Sequence, residues 1–362
     1  MKKRIDNLNV RISGRTTLLD GVLYLGFSGS YIEFVVTGKL LSVDFVSDEP
    51  VMREDKNSEY YCPGHPYSDD TLLGQVMILL DGKQLDRFAL NESRVSKSYL
   101  LEAGSHEVKI IKMNEAAFGL VGIEAIDTEG EIIPSEKSER KIEFIGDSIT
   151  CGYGVEGILD KDVFCTEQEN PTKAYAILTA NKLSADYQLV SWSGIGIITN
   201  WVPETVNEPL EEILMPWLYP YRDRRLCERK NLPLEEWDFS EYVPDVIVIY
   251  LGTNDASYVR SIPERQEYFG GKYGEFLEYV HEKNKKSAIL GILGTMDGSL
   301  IDEERRRFEL FNSKYPDVKA EFMALPLQNN EDGIGTDSHP SAVTQQKASE
   351  LVASKIKEMM NW

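Results

Sequence analysis

The segment from Val246 to Leu251 reads Val-Ile-Val-Ile-Tyr-Leu and is apolar at every position. A strand with one face in water alternates apolar and polar residues, so this run predicts a strand covered on both faces, as in parallel sheets. Three further apolar runs, at 142–145, 187–190 and 288–293, alternate with stretches compatible with helices. The pattern predicts a doubly wound α/β domain. The last helix is expected after Ser341, where apolar residues recur at helical spacing: Ala348, Leu351, Val352, Ile356 and Met359.

The N-terminal part of the chain has a different residue pattern. Leu8–Ile12 and Leu41–Val46 alternate apolar and polar residues, and Asp81-Gly82 between two apolar runs is typical of a two-residue hairpin. Several short strands at this spacing predict an antiparallel β-sandwich. A polar segment with Gly130 and Pro134 predicts a linker. The expected organisation is a β-sandwich domain over 1–130, a linker over 131–140, and an α/β domain over 141–362.

Charge and composition exclude several classes of function. The 362 residues carry a net charge of −21, which repels phosphate backbones and anionic membranes, so neither nucleic acid nor membrane is expected as a partner. The glycine-rich segments match neither the Walker nor the dinucleotide pattern, and no residue spacing indicates a metal, so no cofactor is expected. Four well-separated cysteines indicate a reducing setting, with Cys151 expected as a buried free thiol. No apolar segment follows the basic Met1–Arg4, so a cytoplasmic location is expected.

Residues suited to acyl transfer follow the predicted strands. Ser148 lies on a strand-to-helix turn and is the candidate nucleophile, and His339 before the last helix is the candidate base, since imidazole titrates near pH ~6.5. The backbone N–H groups of Ser148 and Gly194, together with the amide of Asn254, could hold an oxyanion. Each residue alone is an ordinary loop, packing or capping residue. Their joint occurrence at strand ends favours a catalytic site, because carboxyl ends of parallel strands meet at one edge.

These segments resemble the conserved blocks of the SGNH (GDSL-type) hydrolases. The matching residues are Gly146-Asp147-Ser148-Ile149-Thr150, Gly194, Gly252-Thr253-Asn254-Asp255 and Asp337-Ser338-His339-Pro340. The resemblance implies a flavodoxin-like three-layer α/β/α fold, with Ser148 as nucleophile, His339 as base, and Ser148, Gly194 and Asn254 as oxyanion hole. A β-sandwich ahead of such a domain is similar to carbohydrate esterase family 2, in which it is jelly-roll-like. That family removes acetyl groups from plant polysaccharides, notably at O6 of hexopyranosyl units and on xylan.

The block around the histidine departs from the broad superfamily pattern. The carboxylate expected three residues before His339 is absent there, because that residue is Thr336, and Asp337 lies one residue closer. Family 2 esterases also tend to carry this shorter spacing, and some work as a Ser–His dyad oriented by a backbone carbonyl. Asp337 is therefore either the orienting carboxylate of a catalytic triad or a loop residue.

Three further residues are candidates for contact with substrate. Trp201 and Trp217 belong to an aromatic cluster whose rings suit stacking on sugars, although core packing or the contact of a homo-oligomer explains them equally well. Asp147 is the third candidate, and we also expect it to accept backbone N–H bonds that fix the turn.

The functional prediction is a serine esterase that removes O-acetyl groups from plant cell-wall oligosaccharides or polysaccharides, with acetylated saccharide as its partner. Another SGNH esterase, acting on lipids, thioesters or sialic acid, is the first alternative. A carbohydrate-binding protein with a vestigial site is the second. The intact set of Ser148, Gly194, Asn254 and His339 counts against the second alternative.

Overall fold

The computed structural model describes residues 3–48 and 72–362. Seventeen strands and eight α-helices form in these residues, together with short 3-10 turns. The strands are β1 (Lys3–Arg4), β2 (Arg11–Ser13), β3 (Thr16–Leu19), β4 (Val22–Leu25), β5 (Tyr31–Thr37), β6 (Leu40–Val46), β7 (Gln75–Leu80), β8 (Lys83–Ala89), β9 (Arg94–Leu100), β10 (Ser105–Lys112), β11 (Val121–Thr128), β12 (Ile132–Pro134), β13 (Lys141–Gly146), β14 (Asp186–Ser191), β15 (Val246–Tyr250), β16 (Ala288–Thr295) and β17 (Ala320–Leu327). The helices are α1 (Ser148–Cys151), α2 (Tyr175–Lys182), α3 (Met215–Leu218), α4 (Arg224–Lys230), α5 (Thr253–Val259), α6 (Pro263–Lys283), α7 (Ile301–Lys314) and α8 (Ala342–Met360).

The described residues group into two compact units. The first takes residues from Met1–Lys137, Val163–Glu169 and Arg222–Glu235, and the second takes Ser138–Asp162, Asn170–Tyr221 and Glu236–Trp362. The chain therefore returns twice to the first unit after leaving it. The boundaries predicted from sequence, 1–130, 131–140 and 141–362, remain predictions, although the segment expected as a linker contains β12, which pairs with β5.

The first unit is an antiparallel β-sandwich, as predicted. Two six-stranded sheets form, with strand orders β3-β4-β11-β6-β9 and β12-β5-β10-β7-β8, while β1 joins β11 and β2 joins β5. Buried residues of both sheets, including Phe45 and Ile123 of one and Phe34 and Ile110 of the other, share one hydrophobic core. The predicted hairpin joins β7 to β8, and Asp81 (φ 51) and Gly82 (φ 76) adopt the positive φ values of a type I′ turn.

The second unit is built on a five-stranded parallel sheet of order β14-β13-β15-β16-β17. From β13 the chain passes through α2 to β14 at one edge of the sheet. From β15 it passes through α6 to β16, and then through α7 to β17 at the other edge. Right-handed crossovers place these helices on opposite faces, giving the predicted three-layer α/β/α arrangement. The point where the direction reverses lies between β13 and β15. Ser148 follows the first of these strands and Asn254 follows the second.

The four predicted strands of this sheet, β13 to β16, and the last helix are confirmed, while β17 was not predicted. Its residues are mostly half-buried or exposed, as expected of an edge strand, and Pro326 lies inside it, so it lacks the apolar run that reveals a central strand. In α8, Leu351 was expected to pack on the sheet but is exposed, while Val352 and Ile356 are buried. Cys151, Cys165 and Cys227 are buried free thiols, which confirms the expectation for Cys151. Across the described residues, no helix is both long enough and apolar enough to cross a bilayer.

Candidate active site

The nucleophile candidate lies on a tight turn between β13 and α1. Asp147 caps α1, because its Oδ1 accepts the N–H of Ile149 at 2.9 Å while its own backbone stays extended. Gln345 of α8 donates its Nε2 to the carbonyl of Ile149 at 2.9 Å and thereby fastens this turn to the last helix. Ser148 is 6% exposed, so its hydroxyl is held in a shielded position at the carboxyl end of the sheet.

His339 meets Ser148 across 191 residues of sequence. Its Nε2 lies 2.8 Å from Ser148 Oγ. Its Nδ1 lies 3.2 Å from the carbonyl oxygen of Thr336 and 3.1 Å from that of Asp337. Carbonyl oxygens only accept, so Nδ1 carries the proton and Nε2 presents its lone pair to the serine hydroxyl. Burial lowers the pKa of His339 to about 4, against the opposing effect of these carbonyls and the nearby Asp337 charge, so the imidazole is neutral at pH 7.

The structure corrects the triad interpretation of Asp337. Its carboxylate accepts a hydrogen bond from the Tyr153 hydroxyl at 2.9 Å, while its backbone carbonyl, not its side chain, faces the imidazole. Asp337 and Ser338 both adopt positive φ (52° and 64°), and this left-handed turn directs the two carbonyls toward Nδ1. The arrangement matches the geometry of a Ser–His dyad, one of the two alternatives that the shorter spacing left open.

Sequence reasoning missed Tyr153, whose ring centroid lies 4.5 Å from that of His339. The signal was present in Gly152-Tyr153-Gly154. Both glycines have positive φ, and the carbonyl of Gly154 accepts the N–H of Thr336 at 3.1 Å. This segment therefore supports both the ring and the backbone of the His339 loop.

The Asn254 side chain contacts the chain neighbours of Ser148 and Gly194, the other two candidate oxyanion donors. Its Nδ2 donates to the carbonyl of Ile195, next to Gly194, at 2.9 Å, and lies 3.3 Å from Oδ2 of Asp147, next to Ser148. Gly194 has φ 76, and a Cβ added there would meet nothing within 4 Å, so backbone conformation rather than crowding requires glycine. The space beside the Gly194 Cα, where a side chain would stand, is open.

Asp255 fixes the loop that carries Gly194, a role that the sequence did not reveal. Its Oδ1 accepts the N–H groups of Ile197 and Ile198 at 2.9 and 2.8 Å. Gly196 lies so close that a Cβ there would be 2.7 Å from the carboxylate. Burial raises the pKa of Asp255 to about 6, while the hydrogen bonds from the loop amides oppose that rise.

The three candidate substrate-binding residues have different surroundings. Asp147 is fully buried, and its carboxylate serves the turn and approaches Asn254, so the structure does not support its placement among residues that touch substrate. Trp201 has an exposed side chain, and its backbone N–H donates to the carbonyl of Gly194 at 2.9 Å. This contact places its backbone beside the loop that carries Gly194. Trp217 is also exposed, but it lines a separate groove with α6.

Comparison with curated proteins finds carbohydrate-active relatives. The chain is 34% identical over 292 residues to "Cellulase/esterase CelE" of Acetivibrio thermocellus, covering 78% of this chain and 34% of that protein. It therefore spans about a third of the length of this relative. It is 24% identical over 361 residues to an "Acetylxylan esterase / glucomannan deacetylase" of Cellvibrio japonicus, covering 98% of this chain and 90% of that one.

A solved structure and a family model agree with these relatives. A family two carbohydrate esterase from Clostridium thermocellum, solved in complex with cellohexaose, superposes with a TM-score of 0.81 at 29% identity, covering 98% of this chain and 100% of that one. The model of the GDSL-like Lipase/Acylhydrolase family matches residues 144–347, the range that holds the Ser148–His339 pair and both further oxyanion candidates. The chain therefore belongs to the GDSL-like lipase/acylhydrolase family.

Proposed function

We propose that the chain is a serine esterase that removes O-acetyl groups from the sugars of plant cell-wall oligosaccharides or polysaccharides. The observation that carries the proposal is the 2.8 Å contact between Ser148 Oγ and the unprotonated Nε2 of His339. The substrate class is supported by the relatives, of which one is named an acetylxylan esterase and glucomannan deacetylase and another was solved with cellohexaose.

The proposed reaction proceeds through an acetyl-enzyme. His339 Nε2 takes the Ser148 proton as Oγ attacks the acetyl carbonyl carbon, and the carbonyl oxygen becomes an oxyanion. The N–H groups of Ser148 and Gly194 and the Asn254 amide stabilise that charge. The oxyanion then collapses and re-forms the carbonyl, the carbon–oxygen bond to the sugar breaks, and the His339 imidazolium protonates the departing sugar oxygen, which leaves as a hydroxyl. Water repeats the sequence, releasing acetate and restoring the serine.

The carbonyl oxygens of Thr336 and Asp337 stabilise the positively charged imidazolium that forms in both steps. Each accepts from Nδ1–H in the resting state, at 3.2 and 3.1 Å, and both contacts strengthen when the ring becomes positive. They thus hold the ring in the tautomer that the reaction requires. We assign the stacking contact with the sugar to Trp201, because its side chain is exposed and its backbone lies beside Gly194.

A chain-length series tests the acyl specificity. We expect kcat/KM to fall steeply from 4-nitrophenyl acetate to the butyrate and octanoate, and flat or rising values would favour a lipid or thioester substrate instead. We also propose a preference for acetyl groups on O6 of hexopyranosyl units. Positional analysis by NMR of mono-acetylated gluco-oligosaccharides tests it, with mono-acetylated xylo-oligosaccharides, which have no O6, as the comparison. A purified protein that hydrolyses none of these esters would contradict the proposal and favour a vestigial site.

A further inference from the structure

A groove in the second unit is lined by residues that the proposed mechanism does not use. Its volume is about 390 Å³, within the range of ~300–1,000 Å³ typical of small-ligand sites. Neither Ser148 nor His339 lines it. The lining residues that matter here are Ile197, Trp217, Tyr268, Lys272, Glu275 and Tyr279.

One wall of the groove is a single face of α6. Tyr268, Lys272, Glu275 and Tyr279 are spaced by four, three and four residues, so they lie above one another along the helix. Lys272 Nζ and Glu275 Oε2 form an ion pair at 2.8 Å between the two tyrosines. The face therefore presents aromatic rings on either side of a charged pair that offers both a donor and an acceptor.

Trp217 also lines the groove, and it is not a core residue. Trp217 is 44% exposed and Tyr268 is 53% exposed, although both are large and apolar enough to favour burial. Solvent-facing aromatic rings around a concave surface are typical of a binding site. The lining also includes Ile197 and Ile198, whose backbone N–H groups donate to Asp255 and are thus held in place without a ligand.

The chemistry of the lining selects a neutral polyhydroxylated ligand. Aromatic faces suit the apolar C–H patches of sugar rings, and carboxylate and ammonium groups suit their hydroxyls. Glu211, Lys272 and Glu275 together give the lining one more negative than positive charge, which disfavours phosphate or uronic acid. We propose that this groove is a second saccharide site, separate from the Ser148–His339 pair, which binds a neutral oligosaccharide segment. The choice of saccharide rests on the proposed function.

The test is a residue-specific titration that needs no turnover. The protein is labelled with 5-fluorotryptophan, the Trp217 resonance is assigned with W217F, and unacetylated xylotetraose or cellotetraose is added while ¹⁹F spectra are recorded. We expect the Trp217 resonance to shift saturably and that of Trp362 to stay in place, because the Trp362 ring packs on Arg140, which is not a groove residue. Tyr268→Ala should weaken the apparent affinity at least about tenfold, and Leu310→Ala, which removes an exposed side chain of α7, should not.

Three results would overturn the proposal. They are an unmoved Trp217 resonance, an affinity unaffected by Tyr268→Ala, and equal affinity for an oligogalacturonate of the same length. Because the sugars carry no ester, these results do not depend on whether the chain hydrolyses acetyl esters. Wild-type assays on acetylated substrates report separately on the proposed function.

Discussion

Asp337→Asn separates a dyad from a triad. In a Ser–His–Asp triad, replacing the carboxylate by its amide lowers kcat by about 10⁴, because the imidazole loses the partner that fixes its tautomer. Here the Nδ1–H acceptors are the carbonyls of Thr336 and Asp337, which the substitution leaves in place. Asparagine also tolerates the left-handed backbone (φ 52) of this position. What changes is the contact with Tyr153 and one negative charge.

The magnitude follows from that contact. A hydrogen bond to a charged group contributes about 1.5–3 kcal/mol, so even its full loss from the barrier lowers kcat/KM by no more than about 10²-fold. The Asp337 charge raises the pKa of His339, so its removal should move the acid limb of the pH profile to lower pH. The assay is kcat/KM on 4-nitrophenyl acetate against pH, with Tyr153→Phe as the control that releases the carboxylate without removing it. A loss near 10⁴ in Asp337→Asn would refute the dyad.

Three other variants or conditions probe the rest of the site. Asn254→Ala removes one oxyanion donor and should lower kcat by about 10²–10³, and wild-type turnover would contradict its role. The acid limb of wild-type kcat/KM should lie near pH 4, because burial lowers the pKa of His339 to about 4 and the base is neutral above that pH, whereas a midpoint of 6.5 would contradict the account. Asp255→Asn replaces the charged carboxylate by an amide with one acceptor oxygen for the backbone N–H groups of Ile197 and Ile198. It should therefore reduce the free energy of unfolding by about 1.5–3 kcal/mol, measured by denaturation, and lower kcat, measured by turnover. Asp302→Asn, whose side chain is 94% exposed, is the matched control and should change neither.

The elements that could be predicted from the sequence are those with a clear local residue pattern. The buried strand at 246–251 and the hairpin at Asp81-Gly82 carry local signals, a continuous apolar run and a positive-φ turn pair. The edge strand β17 carries no such signal, because six of its eight residues are half-buried or exposed without a regular alternation.

In the candidate site, some residues could be predicted from the sequence and the contacts of others could not. Ser148, Gly194, Asn254 and His339 follow strands or precede a helix, so the fold topology alone brings them to one sheet edge. The partner of His339 Nδ1 could not be read from the sequence, because two successive left-handed residues turn the backbone carbonyls, rather than the Asp337 carboxylate, toward the ring. The role of Asp255 depends on backbone amides, which have no residue identity and leave no trace in the sequence.

The central claim is that the hydroxyl of Ser148 is a nucleophile activated by His339. Its most direct measurement is stoichiometric labelling with a phosphonate ester that forms an irreversible adduct on serine nucleophiles, followed by peptide mapping and rates of inactivation. We expect a single adduct on Ser148 that appears in step with the loss of activity, and labelling at least about 10² slower in His339→Ala. Complete inactivation with the adduct on another residue, or an unchanged labelling rate in His339→Ala, would contradict it.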